Sequence, residues 1–130
     1  MQEPPVLLLV DDQPFFLNLH KGMLTPRGYT IVTAPDAAQG FAEAKRLVPS
    51  LIFLDIEMPG EDGFSLCGRL KADPTTAAIP IVMLTGTKSQ KLNEQAFKAG
   101  AEATVLKSMN VERLLNIIKV ILESKQVPPR

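Results

Sequence analysis

Residues 51–64 read LIFLDIEMPGEDGF, and their order decides the fold. Four apolar residues, Leu51 to Leu54, run into Asp55, and a turn-rich segment with Pro59, Gly60 and Gly63 follows. A short continuous apolar run bounded by turn signals predicts a strand buried on both faces, as in a parallel sheet. Asp55 then lies at the carboxyl end of that strand, the rim where open α/β sheets bind their ligands. Taken alone, it could equally be a surface aspartate that opens a turn.

Outward from this stretch the pattern repeats. Upstream, Val6 to Val10 (VLLLV) is another apolar run, and it ends at Asp11-Asp12. Pro14 suits the first turn of a helix, along which Phe15, Phe16, Leu19, Met23 and Leu24 recur at roughly helical spacing until Pro26 and Gly28 stop it. Tyr29 to Thr33 reads as a strand. Asp36 is the expected N-cap of a second helix, with Ala38, Phe41, Ala42 and the stem of Lys45 on its inner face, and Pro49 closes it.

Downstream, Phe64, Cys67, Leu70 and Lys71 predict a third helix that ends at Asp73-Pro74. Ile79 to Leu84 is a strand that runs into Thr85-Gly86. Ser89 to Ala99 is a helix closed by Gly100. Ala103 to Leu106 is a strand that ends at Lys107, and Asn110 caps a final helix over Val111 to Lys125.

The alternation of strand and helix predicts an α/β domain: five parallel strands, flavodoxin-like (βα)5, order 2-1-3-4-5, with helices on both faces. Residues 6–125 form it, 1–5 are an N-terminal tail, and 126–130 are a C-terminal tail or the start of a linker.

Bulk properties exclude several classes. The 130 residues suit one core. Lys+Arg and Asp+Glu number 14 each, so no general electrostatic pull toward nucleic acid or anionic membrane follows. The single cysteine, Cys67, rules out an internal disulfide and fits a reducing compartment. No apolar run approaches the length of a membrane span, and the N-terminus lacks a signal-peptide pattern. A cytoplasmic protein is expected.

The strand ends carry the chemistry. Asp11-Asp12, Asp55, Thr85 and Lys107 follow the first, third, fourth and fifth strands, which are neighbours in the expected order. Clustered carboxylates repel unless a cation lies between them. An all-oxygen donor set suits Mg²⁺. An aspartate can itself be phosphorylated to an acyl phosphate, whose oxygens a lysine and a hydroxyl would stabilise. Gly86 leaves a phosphoryl group room to approach. Singly, each residue has a plainer reading: Asp11-Asp12 as a helix cap, Thr85 as a turn hydroxyl, Lys107 as a solvated lysine. His20 reads as packing or surface, and Cys67 as a small core residue.

As a set, VDD at 10–12, LDIEMPGEDGF at 54–64, PIVMLTG at 80–86, KAGAEA at 98–103 and Lys107 closely resemble the receiver domain of bacterial two-component response regulators. The resemblance implies a phosphorylation-switched signalling module rather than an enzyme. A sensor histidine kinase or a phosphotransfer protein would be its donor, and a downstream protein its reader. It implies Asp55 as phosphoacceptor, and Mg²⁺ held by Asp11, Asp12, Asp55 and the backbone carbonyl of Glu57. Thr85, Gly86 and Lys107 would surround the phosphoryl group. The module would stand alone or form part of a larger regulator, as a monomer or weak homodimer.

Two positions depart from the family pattern. Ser108 stands where proline usually follows the lysine. The Lys107–Ser108 peptide is expected trans, since a cis non-proline bond costs about 2.5–4 kcal/mol. Thr104 stands where the family usually has an aromatic switch residue. The switch is therefore expected to run through Thr85 and the following loop, with Thr104 as a small partner. In the last helix, Val111, Leu114, Leu115, Ile118, Ile121 and Leu122 form the inner stripe. Ile117 then falls on the flank and Val120 on the outside, as apolar contacts for a partner. Two other functions stand beside this reading. An aspartyl-phosphate phosphatase usually has a second Asp where Glu57 stands. A flavin carrier would need glycine and hydroxyl groups where DDQPFF stands.

Overall fold

The structure is a computed structural model, and it describes residues 3–125. The expected 126–130 tail lies outside the described residues, as do residues 1 and 2 of the N-terminal tail. Five strands, β1 (Val6–Val10), β2 (Thr30–Ala34), β3 (Leu51–Asp55), β4 (Ile81–Thr85) and β5 (Ala103–Leu106), alternate with five α-helices. These are α1 (Pro14–Leu24), α2 (Ala37–Leu47), α3 (Gly63–Ala72), α4 (Gln90–Ala99) and α5 (Val111–Lys125). All neighbouring strands pair in parallel, in the order β2-β1-β3-β4-β5.

The continuous apolar runs are explained by what covers the sheet. Successive side chains of a strand point to opposite faces. Leu8, Val10, Ile52, Leu54, Ile81 and Met83 join one buried cluster with Ala37, Ala44, Leu66, Cys67, Leu70 and Ala96 of α2, α3 and α4. Leu7, Leu9, Leu51, Phe53, Val82, Leu84 and Val105 join a second cluster with Leu24 of α1 and Leu114, Ile118 and Leu122 of α5. Each central strand therefore needs apolar residues at every position. All five residues of β3 and of β4 are buried, Asp55 and Thr85 included.

The helix ends follow the expected chemistry. Asp36 caps α2 through Gln39 N (2.8 Å), and Asn110 Oδ1 accepts from Arg113 N (2.9 Å) ahead of α5. Ser89 caps α4 and left-handed Gly100 closes it. Asp62, unremarked in the sequence, caps α3 through Ser65 N. No cis peptide occurs among the described residues, so Lys107–Ser108 is trans.

Two helix faces differ from expectation. On α2, Ala38, Ala42 and Lys45 are exposed, whereas Ala37, Gly40 and Ala44 are buried and Phe41 is half-buried. The helix lies too close to β1 for larger residues, since a Cβ on Gly40 would come within 2.9 Å of Val10. On α1, Phe15 (69% exposed) and Leu19 (39%) face outward, and His20 (3%) and Leu24 are buried. The second strand runs one residue later than expected. The fourth begins at Ile81, after Pro80, whose ring removes a ladder donor.

Candidate functional site

The carboxyl ends of β1, β3 and β5 bring Asp11, Asp55 and Lys107 together. Carboxylate oxygens of Asp11, Asp12 and Asp55 lie within 4.8 Å of one another. Asp11, Asp55 and Lys107 are buried, and Asp12 is half-buried. Lys107 Nζ is 3.0 Å from Asp11 Oδ2, 3.1 Å from Asp55 Oδ2 and donates to Gln13 Oε1 at 3.1 Å. Asp55 Oδ1 accepts from Glu57 N (3.3 Å), and Asp11 Oδ1 accepts from Gln13 N (3.0 Å). Asp12, Gln13, Phe16, Asp55, Glu57, Gly86 and Lys107 line an open cavity of about 380 Å³ over the cluster.

The charges do not balance. Three carboxylates face one ammonium. Burial first, then the charge of Asp11, push the Asp55 carboxyl up to about 7, against the opposing pull of Lys107. Asp11 Oδ2 touches Lys107 as an ion pair, yet it is a buried oxygen that accepts no hydrogen bond. An all-oxygen cluster with surplus negative charge beside an open cavity fits a hard divalent cation such as Mg²⁺.

The turn after Asp55 is built to bring α3 under it. Gly63 N donates to Ile56 O (2.9 Å), and a Cβ on Gly63 would run into the carbonyl oxygen of Asp55. Only glycine fits that approach.

Thr85 stands apart from the other expected residues. Strand alternation puts Asp55 in step with Leu51 and Phe53, on the α1/α5 side. It puts Thr85 in step with Ile81 and Met83, on the α3/α4 side. Its hydroxyl donates to Thr87 O (3.0 Å) and accepts from Thr87 N (3.2 Å). Thr85 lines a neighbouring cavity of about 200 Å³, shared with Lys88, Asn93, Thr104 and Arg113. A Cβ on Gly86 would meet nothing within 4 Å, so the packing itself does not demand glycine there.

The expected partner-face residues divide. Val120 is 65% exposed, but Ile117 is half-buried against the α1/α5 cluster. Its flank position on α5 is an inward flank. The structure adds Phe97 on α4, 80% exposed beside a cavity that Thr104 also lines. Its position off the Leu92, Ala96 and Ala99 stripe was the available signal. Gln13 and Phe16 were also missed as neighbours of Lys107, and nothing local in sequence links them to a residue some ninety positions away.

A flavodoxin-like sheet with buried carboxylates and a lysine at its carboxyl rim defines an α/β module with an acidic, cation-ready pocket. The sequence matches the response regulator receiver domain over residues 7–119, and the chain belongs to that family, the receiving modules of two-component signalling. Protein PilH of Pseudomonas aeruginosa is 33% identical over 117 residues, which cover 89% of this chain and 96% of PilH. The DNA-binding dual master transcriptional regulator RpaA of Synechocystis is 37% identical over 118 residues, 91% of this chain. The chain spans only about half (49%) of that regulator's length. The crystal structure of a CheY-like receiver domain protein from Methanospirillum hungatei superposes with a TM-score of 0.88 at 27% identity, covering 95% of this chain and 98% of that one. Among the described residues, no helix is long and apolar enough to cross a membrane.

Proposed function

We propose that Asp55 accepts a phosphoryl group from a phosphohistidine of a sensor histidine kinase or phosphotransfer protein. Asp11, Asp12, Asp55 and the Glu57 backbone carbonyl would hold Mg²⁺. The observation that carries this reading is the convergence of three aspartates and Lys107 at the sheet's rim, where Asp12, Asp55 and Lys107 line one cavity. Bound Mg²⁺ would offset the charge of the carboxylates and of the incoming phosphoryl oxygens.

Asp55 reacts as the carboxylate. One of its oxygens forms the new O–P bond while the donor's N–P bond breaks. The departing imidazole nitrogen keeps the electron pair and takes up a proton. Lys107 holds the phosphoryl oxygens as it lets go of Asp55. Thr85 gives up its two bonds to Thr87 and turns its hydroxyl to the phosphoryl group, which moves the loop after β4. That movement reaches the α4–β5–α5 face through Thr104. Val120 and Phe97 are the exposed apolar contacts there for a downstream protein.

The domain works in the cytoplasm as a switch, not as a turnover enzyme. It acts as a monomer or weak homodimer, either alone or within a longer regulator. It makes no direct contact with nucleic acid or membrane.

Incubation with acetyl phosphate and Mg²⁺, followed by intact-mass spectrometry, tests the reading. One phosphoryl adduct is expected on the parent protein and none on Asp55→Asn. No adduct on the parent, or the same yield on the variant, overturns it.

A further inference from the structure

Helix α1 presents three residues to Lys107 from one face. Gln13, the N-cap, accepts a hydrogen bond from its ammonium at 3.1 Å. Phe16, one turn on, lies under the same ammonium, 4.5 Å from ring centroid to Nζ. His20, a further turn on, reaches the other end of the residue: its Nε2 is 3.3 Å from the Lys107 carbonyl oxygen. A carbonyl only accepts, so Nε2 carries the proton. The Phe16 and His20 rings are stacked, with centroids 6.0 Å apart and planes 20° apart, which joins the two grips.

The arrangement is unusual for a core position. His20 is 3% exposed and lies among Leu9, Leu24, Phe53, Leu84 and Leu114. An apolar residue would fill such a site without burying a polar ring. The Lys107 carbonyl also lies past the last residue of β5, beyond the ladder that ends at Leu106. Its N–H is already bonded to Thr85 O at 2.8 Å. With His20 on the carbonyl, the backbone of Lys107 is held from both sides just where its side chain enters the acidic cavity.

We infer that His20 is a positioning residue for phosphoryl transfer: it fixes the Lys107 backbone so that the ammonium is aimed at Asp55. This rests on the reading of Asp55 as phosphoacceptor. Phe16 sets the orientation of the His20 ring, and Gln13 holds the ammonium until a phosphoryl group replaces it.

The test compares His20→Leu, which removes the donor, with His20→Gln, whose side-chain amide can restore it. Rates of acetyl phosphate labelling are measured at saturating Mg²⁺. His20→Leu is expected to be slower by roughly tenfold, the effect of losing one buried hydrogen bond of about 1.4 kcal/mol. His20→Gln recovers most of the rate. In a Lys107→Ala background, His20→Leu has no further effect, whereas a merely structural role would lower both backgrounds alike. Labelling of folded His20→Leu at the parent rate, or an undiminished effect without Lys107, overturns the proposal.

The nitrogen resonance of the Lys107 ammonium, assigned by its loss in Lys107→Ala, gives a readout that needs no phosphorylation. It shifts in His20→Leu and returns in His20→Gln; an unmoved resonance overturns the positioning role whether or not Asp55 is labelled. If His20→Leu does not fold, His20→Met removes the donor with a more adaptable side chain.

Discussion

The ammonium of Lys107 stands 3.1 Å from Asp55 Oδ2, inside a pocket where it is also 3.0 Å from Asp11 Oδ2. One cation thus serves two buried anions. Each carboxylate is half-compensated, and the site responds to whatever charge is added to it, whether proton, metal or phosphoryl group.

Protons come first. Asp55 is held at about 7 against an ordinary 3.8, by burial and by Asp11. From about pH 4 to 7 the unfolded chain has this group ionised while the folded protein keeps it protonated. Stability is therefore fully present below about pH 4, falls as pH rises, and levels off above 7. Asp55→Asn lacks this dependence. In chelator, urea unfolding should show the variant gaining on the parent from pH 5 to 8, by at most ~3 kcal/mol, about 1.4 kcal/mol for each of the roughly two pH units between 5 and 7. His20, held below its ordinary value chiefly by burial, slopes the other way but equally in both proteins. A flat difference would mean that Asp55 titrates normally.

Magnesium should reverse that loss. A cation that binds only the folded state raises stability by about 2.7 kcal/mol at a hundred times its dissociation constant. The rise in melting temperature should be larger at pH 8 than at pH 6, because protons compete for the same oxygens. Asp12→Ala should reduce the rise. Equal rises at both pH values would place the cation elsewhere.

Gly63 should tolerate nothing larger. Alanine there meets the backbone carbonyl of Asp55 and, at 3.0 Å, Ile56 Cα. Backbone cannot swing aside as a side chain can, so Gly63→Ala should destabilise by about 1–3 kcal/mol. Gly86→Ala, with open space around its Cβ, should leave the melting temperature nearly unchanged. Similar melting curves for the two variants would refute the close approach.

Ile117 and Val120 should part company on substitution by lysine. Ile117 packs on the α1/α5 cluster, and Val120 is 65% exposed. Ile117→Lys should cost roughly 1–3 kcal/mol, against no more than about 0.5 kcal/mol for Val120→Lys. Thermal melts of the two variants decide. Only Val120→Lys, alone or with Phe97→Ser, is then fit to test partner binding without disturbing the fold.

The strands were legible because burial on both faces leaves little choice of residue: VLLLV, LIFL and IVML admit few other readings. Their carboxyl ends were legible with them, and so was the rim that gathers Asp11, Asp55 and Lys107. Helix faces were less so. On α2 alanines lie on both faces, Ala37 and Ala44 buried and Ala38 and Ala42 exposed, and the close approach of Gly40 to Val10 decides the register. On α1 apolar character points to Phe15 and Leu19, yet the helix buries His20, whose reason for being inside is a carbonyl 87 residues away. Thr85 was legible as the residue that ends the fourth strand, but not the face of the sheet that it takes. The side follows from residue parity, which only becomes meaningful once each helix is assigned to a layer.

The division of the interior into two apolar layers has a directional consequence. The sheet is one residue thick, and its central strands are packed on both surfaces, so it insulates one layer from the other. The charge-bearing groups face the layer of α1 and α5, while Thr85 and Thr104 open toward α4. On the proposed reading, a phosphoryl group on Asp55 acts on Thr85 from the other face of the sheet, and the open edge beyond the strand ends is the route around the partition. On that reading the signal crosses between the two layers at the few residues where β4 and β5 stop.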